Sequence, residues 1–294
     1  AIAEEFAREG AAIGALARSG DSLAQLCDEI EKAGGRALPL VCDVTDHAQV
    51  DRAMDAAVPV ALVTGVSRRI GIGRAIADRL ADDGFRVVVA GWRAYDQRMP
   101  WGVDADGLAG TFDVDLEDPD AAASLVPMVA ADHGPVEVLV LAHCESVDSD
   151  IATTTVESFD RHMAVNARAT WLLVKAFADQ FERPGGVRRI ISITSDHTAG
   201  NLPYGASKGA MDRIVLAAAT ELADLGVTAN VINPGATDTG WMDAEIEQAV
   251  RRRNLQPRVG TPVDVANLVG FLCSPDGQWV NAQLIRSDGG LARG

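Results

Sequence analysis

The sequence is poor in cysteine, in histidine and in basic residues, and each shortage excludes a class of protein. The four cysteines, Cys27, Cys42, Cys144 and Cys273, form no CxxC pair, and the five histidines are scattered. This pattern indicates neither a disulfide framework nor a metal site. The 26 basic residues face 42 acidic ones, which gives a formal net charge of −16. Nucleic acids and anionic membranes need clustered Lys and Arg, so we expect neither as a partner.

Long apolar runs are missing as well. No uninterrupted run reaches the length of a transmembrane helix, and the acidic N-terminus lacks the basic and apolar regions of a signal peptide. We therefore expect a cytoplasmic protein without a membrane segment. The 294 residues, of which 48% are apolar, suffice for one large or two modest domains with hydrophobic cores.

Short apolar runs alternate with helical patterns along the chain. Six of these runs predict strands, at residues 60–64, 86–91, 136–142, 189–194, 227–233 and 283–287. Apolar strands that alternate with helices predict a Rossmann-type α/β fold, a doubly wound parallel sheet with helices on both faces. Ligands of such sheets bind at the carboxyl ends of the strands, near the switch point in the strand order. Functional residues are therefore expected where strands end.

A glycine-rich turn follows the first of these strands. It reads TGVSRRIGIGRAIA over residues 64–77 and leads into a helical pattern. Glycines let the backbone approach a pyrophosphate, and the amides that open the helix attract it. The alternative is an ordinary strand-to-helix turn. The acidic stretch DVDL at residues 113–116 favours the dinucleotide site, because it could place an acid near an adenine ring.

The motif YGASKGA, residues 204–210, is the most specific feature of the chain. It puts Tyr204 and Lys208 at positions i and i+4, on one face of a helix. An ammonium beside a phenol favours the phenolate, so Lys208 is expected to lower the pKa of Tyr204. Such a tyrosine is a usable proton donor near neutral pH. Because the chain has only two tyrosines and three lysines, a chance pairing on a plain surface helix is disfavoured.

Several motifs, in this order, resemble those of the short-chain dehydrogenases/reductases. They are TGVSRRIGIG, VNARA (165–169), ISITS, YGASK, NPGATDT (233–239) and SDGG (287–290). The resemblance implies that Tyr204 is the general acid/base and that Lys208 lowers its pKa and holds the nicotinamide ribose. It also implies that Ser195 polarises the substrate carbonyl and that Asn166 holds a water in the proton relay. Ser192 is the alternative serine on the same strand.

The same resemblance implies a set of dinucleotide-binding residues in the loops that follow the strands. They are Gly65, Ser67, Arg68, Arg69, Gly71, Ile72, Gly73, Arg93, Asp115, Leu116, Ala142, Pro234, Gly235, Thr237 and Thr239, together with Tyr204 and Lys208. An acid at the end of the second strand would bind a free ribose 2′-hydroxyl, whereas arginines accommodate a 2′-phosphate. Arg93 at that position, with Arg68 and Arg69 in the turn, predicts NADP(H) as the preferred cofactor. NAD(H) remains an alternative, since these arginines could simply face solvent.

Four departures from the family pattern leave the function open. The glycine-rich turn is longer and carries Arg69 in place of a glycine, and LAHC (141–144) replaces Asn-Asn-Ala-Gly. The segment from Ser195 to Tyr204 is short, and WVNAQLI (279–285) lacks a glycine before its glutamine. We expect an NADPH-dependent oxidoreductase that reduces a ketone, of 3-oxoacyl type or another small carbonyl, or runs the reverse reaction. The alternatives are a catalytically impaired dinucleotide-binding or sensor protein, and an epimerase or dehydratase of the same family.

The N-terminal stretch repeats part of the same pattern. AIAEEFAREG (1–10) is nearly repeated as AIADRLADDG (75–84). Residues 1–57 are therefore predicted to be a partial β/α fragment of this family without its first strand and glycine-rich turn, and residues 58–294 a complete domain. We expect residues 1–57 to be dispensable for cofactor binding.

Four further segments carry expectations. WRAYDQRMPWG (92–102) is expected to be exposed near the adenosine end of the site, and residues 240–260 to form a helical lid with Trp241 and Met242 as an apolar wall. By resemblance, helices at about 156–181 and 204–225 would join subunits into a homodimer or homotetramer.

Overall fold

The computed structural model describes residues 2–104, 112–182, 184 and 186–290. The chain divides into two compact units, Ala1–Pro59 and Val60–Gly294. Each unit has its own parallel sheet, of two strands in the first and seven in the second. None of the described helices is long and apolar enough to cross a membrane.

The N-terminal unit is a small β/α arrangement. Its elements are α1 (Ile2–Arg8), β1 (Ala12–Ala17), α2 (Gly20–Lys32), β2 (Arg36–Val41) and α3 (His47–Ala56). Leu23, Cys27 and Ile30 recur at helical spacing on α2 and are all buried, so this face of the helix covers the sheet. β1 and β2 pair in parallel from Ala12–Arg36 to Ala17–Val41.

The C-terminal unit contains the doubly wound sheet that the alternating runs predict. Its strands are β3 (Val60–Thr64), β4 (Arg86–Gly91), β5 (Phe112–Asp113), β6 (Val136–Leu141), β7 (Arg189–Ile193), β8 (Thr228–Asn233) and β9 (Leu284–Arg286). They lie in the order β5-β4-β3-β6-β7-β8-β9, and every adjacent pair is parallel. The six predicted strands are all present, with ends that differ by at most one residue. The Rossmann-type fold is confirmed.

The helices of this unit cover both faces of the sheet. They are α4 (Ile72–Asp82), α5 (Arg93–Arg98), α6 (Pro119–His133), α7 (Val156–His162), α8 (Ala169–Ala178), α9 (Leu202–Glu221), α10 (Ala244–Arg253) and α11 (Pro262–Cys273). A single π-helical turn, Met163–Arg168, joins α7 to α8. The expected helix at 156–181 is therefore interrupted near its middle.

The first four residues of the central strand β3 are all apolar because both faces of the strand are buried. Val60 and Leu62 belong to the core on one face, with α6, α8 and α9, while Ala61 and Val63 belong to the core on the other, with α4 and α11. Successive residues of a strand point to opposite faces, so a strand buried on both sides has no solvent-facing position. β3 is buried along its whole length.

The strand order reverses between β3 and β6. The chain runs outward from β3 to β4 and β5, then returns to the other side of β3 and continues to β9. This is the switch point of a doubly wound sheet, and the crevice outside the carboxyl ends of β3 and β6 is the place where such sheets bind ligands. The predicted site residues lie in the loops that follow these strands, in the π-helical turn and in helices α4, α5 and α9.

Candidate active site

Helix α9 brings Tyr204 and Lys208 to the carboxyl ends of β6 and β7. Tyr204 lies in the first turn, and Lys208 follows one turn later with only 2% of its surface exposed. The Lys208 Nζ donates to the backbone oxygen of Ile193 (2.9 Å) and to that of His143 (3.2 Å). It lies 5.8 Å from the centroid of the Tyr204 ring. The two motif residues are thus held together at the edge of the crevice.

The serine that meets Tyr204 is Ser195. It lies two residues beyond the end of β7, and its hydroxyl shares a side-chain hydrogen bond with that of Tyr204. The backbone N–H of His197 also donates to its Oγ at 3.2 Å. Ser192, the alternative, is fully buried inside β7. The short segment between Ser195 and Tyr204 therefore still permits the two hydroxyls to meet.

The effect expected of Lys208 on Tyr204 is not found, and that prediction is wrong. Burial, followed by the neighbouring Cys144, holds the pKa of Tyr204 above its usual range, and the hydrogen bond from Ser195 offsets this only in part. Burial also lowers the pKa of Lys208. The reason is tertiary: Lys208 directs its ammonium to two backbone oxygens, and the Tyr204 side chain is half-buried. Tyr204 is a protonated phenol at neutral pH.

Asn166 lies in the π-helical turn and joins two elements of the site. Its Oδ1 accepts from the backbone N–H of Glu145 (2.8 Å), and its Nδ2 donates to the Glu145 oxygen (2.9 Å) and to the Ser207 Oγ (2.8 Å). The side chain is fully buried. Single π turns within α-helices are frequent at functional sites. Here the turn directs one amide to both the loop after β6 and helix α9.

The LAHC segment places a histidine where the family pattern has an alanine. The His143 Nδ1 lies 2.7 Å from the Thr64 Oγ1, which links the ends of β6 and β3. Burial and the charge of Lys208 lower the pKa of His143 to about 3, so the ring is neutral at neutral pH. Sequence reasoning missed this residue, although its position directly after a buried strand was a usable signal.

The glycine-rich turn has the geometry that a phosphate needs. Gly65 has φ +75°, and a Cβ there would lie 2.4 Å from the Ala142 backbone oxygen, so only glycine fits. A Cβ on Gly73 would lie 2.7 Å from the Gly65 oxygen. Helix α4 begins after Gly71, which supplies no side-chain cap. The first amides of α4 are therefore available to an anion, and the turn fits a dinucleotide.

The other predicted cofactor residues follow the ends of neighbouring strands of the sheet. Gly235 has φ +61° in the loop after β8, and the Thr237 Oγ1 donates to the Pro234 oxygen at 3.1 Å. Arg93 opens α5, where its backbone N–H donates to the Asp113 Oδ1 at 3.0 Å. The remaining residues, Ser67, Ile72, Asp115, Leu116, Ala142 and Thr239, follow the ends of β3, β5, β6 and β8.

Residues 92–102 and 240–260 are the two segments for which the sequence predicts an exposed stretch and a helical lid. The stretch 92–102, expected to be exposed, packs instead: α5 forms within it, Asp96 is 1% exposed, and the Trp101 Nε1 donates to the Asp96 Oδ1 at 2.9 Å. Residues 240–260 contain the exposed helix α10. Trp241, half of whose surface is exposed, donates from its Nε1 to the Thr237 oxygen at 3.1 Å.

Among the described residues, no group of three or more His, Cys, Asp or Glu could hold a metal ion.

Comparison with known proteins gives two family matches. The family model described as enoyl-(acyl carrier protein) reductase matches residues 65–292. The model described as short chain dehydrogenase matches residues 1–59.

Individual relatives cover the larger part of the chain. An NADPH-dependent aldehyde reductase of Arabidopsis thaliana is 35% identical over 79% of this chain and 93% of its own length. The 3-oxoacyl-[acyl-carrier-protein] reductase MabA of Mycobacterium tuberculosis is 34% identical over 79% of this chain and 92% of its own. Among solved structures, a blue fluorescent protein from a metagenomic library in complex with NADPH has a TM-score of 0.68 and 31% identity, covering 80% of this chain and 98% of the other.

Proposed function

The chain belongs to the short-chain dehydrogenase/reductase family, and from that membership we propose that it reduces a small carbonyl compound to an alcohol with NADPH. It is an NAD(P)-dependent oxidoreductase with NADP(H) as its cofactor. The observation that carries the proposal is the position of Tyr204 in the first turn of α9, with the Lys208 Nζ 5.8 Å from the centroid of its ring and held by the backbone oxygens that follow β6 and end β7.

Each group has a role that follows from its position. NADPH supplies the hydride when it is bound. The amides at the start of α4 and the glycines of the turn would hold its pyrophosphate, and Arg68, Arg69 and Arg93 would meet the 2′-phosphate. Ser195 would donate a hydrogen bond to the substrate oxygen and orient it. Tyr204 would then give its proton to that oxygen.

The raised pKa of Tyr204 keeps the phenol in the protonated form that carbonyl reduction requires. A phenol that is protonated at neutral pH is a proton donor, whereas oxidation of an alcohol requires the phenolate as base. Lys208, held by two backbone oxygens, would position the ribose next to this phenol.

The named relatives narrow the proposed substrate class. One is an aldehyde reductase and another a 3-oxoacyl-[acyl-carrier-protein] reductase. We extend this to the present chain as a preference for 3-oxoacyl compounds or other small ketones and aldehydes. Assembly into a homodimer or homotetramer is part of the same proposal, and the half-exposed Trp171 on α8 supports it. We also propose a cytoplasmic location.

Removal of the Tyr204 hydroxyl tests the proposed oxidoreductase against the alternative functions. In Tyr204→Phe we expect turnover of a carbonyl panel at saturating NADPH to fall about 10²–10⁴-fold, because general acid catalysis is lost. NADPH affinity, read from the rise in melting temperature, should persist. The matched control is Ser124→Ala, which removes one exposed hydroxyl on α6, bonded to the Asp120 oxygen, and should retain turnover.

The contrary outcomes are distinct. Full turnover in Tyr204→Phe would refute the catalytic role of that phenol. NADPH binding by the wild type without reduction of any carbonyl would favour the sensor protein, and a dehydrated or epimerised product would favour the third alternative.

A further inference from the structure

Residues 92–104, here named the crevice strap, cross the switch point of the sheet. The strap leaves β4, which lies on one side of β3, and contacts the loop after β6, which lies on the other side. The strap also contacts the glycine-rich turn that follows β3. It therefore contacts both loops that border the crevice where a doubly wound sheet binds its ligand.

On one side the strap contacts the anion-binding turn. The backbone N–H of Arg69 donates to the Asp104 Oδ2 at 2.6 Å. The guanidinium of Arg68 lies 4.7 Å from the centroid of the Trp101 ring. A carboxylate on an amide of a glycine-rich turn takes the kind of position that a phosphate oxygen takes. Asp104 and Trp101 thus engage two groups that the phosphates of the dinucleotide need.

On the other side the strap is fastened to the loop after β6. The Arg98 guanidinium forms a bidentate ion pair with the Glu145 carboxylate, from Nη1 to Oε1 at 3.0 Å and from Nη2 to Oε2 at 2.6 Å. Glu145 is 2% exposed, and its backbone is held by Asn166. Bidentate pairs of this kind are strong and fix geometry. The Arg98–Glu145 pair is the latch of the strap.

The middle of the strap reaches toward the catalytic tyrosine. The Tyr95 hydroxyl donates to the Ser146 oxygen at 3.4 Å. Burial raises the pKa of Tyr95, and the charges of Cys144, Glu145 and Tyr204 raise it further. Tyr95 is therefore close to the end of the crevice where the proposed chemistry takes place.

The strap is packed as a unit in this position. The rings of Tyr95 and Trp101 lie with centroids 6.2 Å apart, and Arg98 stacks over Trp92 and Tyr95 at 5.3 Å from each ring. Asp96 is buried and bonded to the Trp101 Nε1. Aromatic packing and the Arg98–Glu145 latch together thus hold the strap in this position.

We propose that the crevice strap is an autoinhibitory segment that must be displaced before NADPH binds. This rests on the proposed function, because it takes the crevice to be the dinucleotide site. The phosphates would replace the Asp104 carboxylate at the Arg69 amide, and the Arg98–Glu145 latch would open. Only molecules with the strap displaced bind, so the apparent Kd is the intrinsic Kd divided by the open fraction.

Two strap variants test the proposal by NADPH binding, measured as Kd from fluorescence titration and as the association rate. Arg98→Met/Glu145→Gln removes both charges of the latch together, which avoids leaving Glu145 buried without its partner. Asp104→Asn removes the carboxylate charge from the glycine-rich turn. Each variant should lower the apparent Kd, by about tenfold for the double variant, and speed association. The control Lys175→Met/Asp179→Asn removes an exposed pair on α8 and should leave Kd unchanged.

The outcomes separate the two proposals. If the wild type binds NADPH and both strap variants bind it equally or more weakly, the strap proposal is overturned and the dinucleotide site stands. If neither the wild type nor any variant binds NADPH, both proposals fail. Should the double variant not fold, as judged by circular dichroism, Asp104→Asn decides alone, since Asp104 is only half-buried.

Discussion

His143 is a buried side chain that links two strands of the sheet by a hydrogen bond to Thr64. The family pattern has amide side chains in this segment, and here the His143 ring links β6 to β3 through Thr64. Burial keeps the ring neutral, with a pKa of about 3 against an ordinary value of 6.5. The same ring therefore couples the stability of the sheet to pH.

The sign of this coupling is fixed by the two pKa values. Between pH 6.5 and 3, the unfolded chain binds a proton at His143 that the folded chain does not bind, so the free energy of unfolding decreases as pH falls below 6.5. Through this residue, lowering the pH from 7 to 5 should reduce the free energy of unfolding by on the order of 2 kcal/mol. Urea unfolding at both pH values should show a smaller decrease in the free energy of unfolding for His143→Gln than for the wild type. An equal loss in both proteins would contradict the assignment.

At the scale of single elements, the π-helical turn matters most for the site. It directs the Asn166 amide at Glu145 and Ser207, and thus ties the loop after β6 to α9. The loop that carries the strap latch and the helix that carries Tyr204 are therefore positioned by one side chain. An uninterrupted α-helix over the same residues would change the direction of that amide.

Asn166→Ala tests this positioning role. It leaves the Glu145 backbone groups and the Ser207 hydroxyl without their partner, so we expect a loss of about 1–3 kcal/mol in the free energy of unfolding. Turnover should fall while the pH profile shifts, because Tyr204 is no longer fixed. Thr170→Val is the matched control, since it removes only the bond from the Thr170 Oγ1 to the Asn166 oxygen (2.9 Å). Similar effects of both changes on turnover would argue against a specific role for Asn166.

At the scale of the whole molecule, every residue of the proposed dinucleotide site belongs to Val60–Gly294. That unit contains the seven-stranded sheet and a core on both of its faces. The unit Ala1–Pro59 has two strands, small buried clusters and no glycine-rich turn. Its origin as a partial family member remains a prediction.

Deletion of residues 1–59 should therefore preserve cofactor binding. We expect residues 60–294 to show the same NADPH-dependent rise in melting temperature as the full chain, since a ligand that binds only the native state stabilises it. Thermal unfolding of both proteins with and without NADPH provides the measurement. Disappearance of the shift in the shortened protein would show that residues 1–59 contribute to the site.

The sequence by itself determined the strands, the glycine-rich turn and the Tyr204–Lys208 pair. These are local properties: apolar runs define strands, positive φ requires glycine at Gly65, and a spacing of four places two residues on one helix face. The roles of the site residues came from the family resemblance of these motifs and remain predictions.

Only the tertiary structure decided how these parts act on one another. It put Ser195 and not Ser192 against Tyr204, and it raised the pKa of that phenol where the spacing alone predicts a decrease. It also folded the crevice strap inward, through an ion pair between Arg98 and Glu145, which are 47 residues apart in the chain. Burial and contacts between distant residues set these outcomes, and neither is contained in a local pattern.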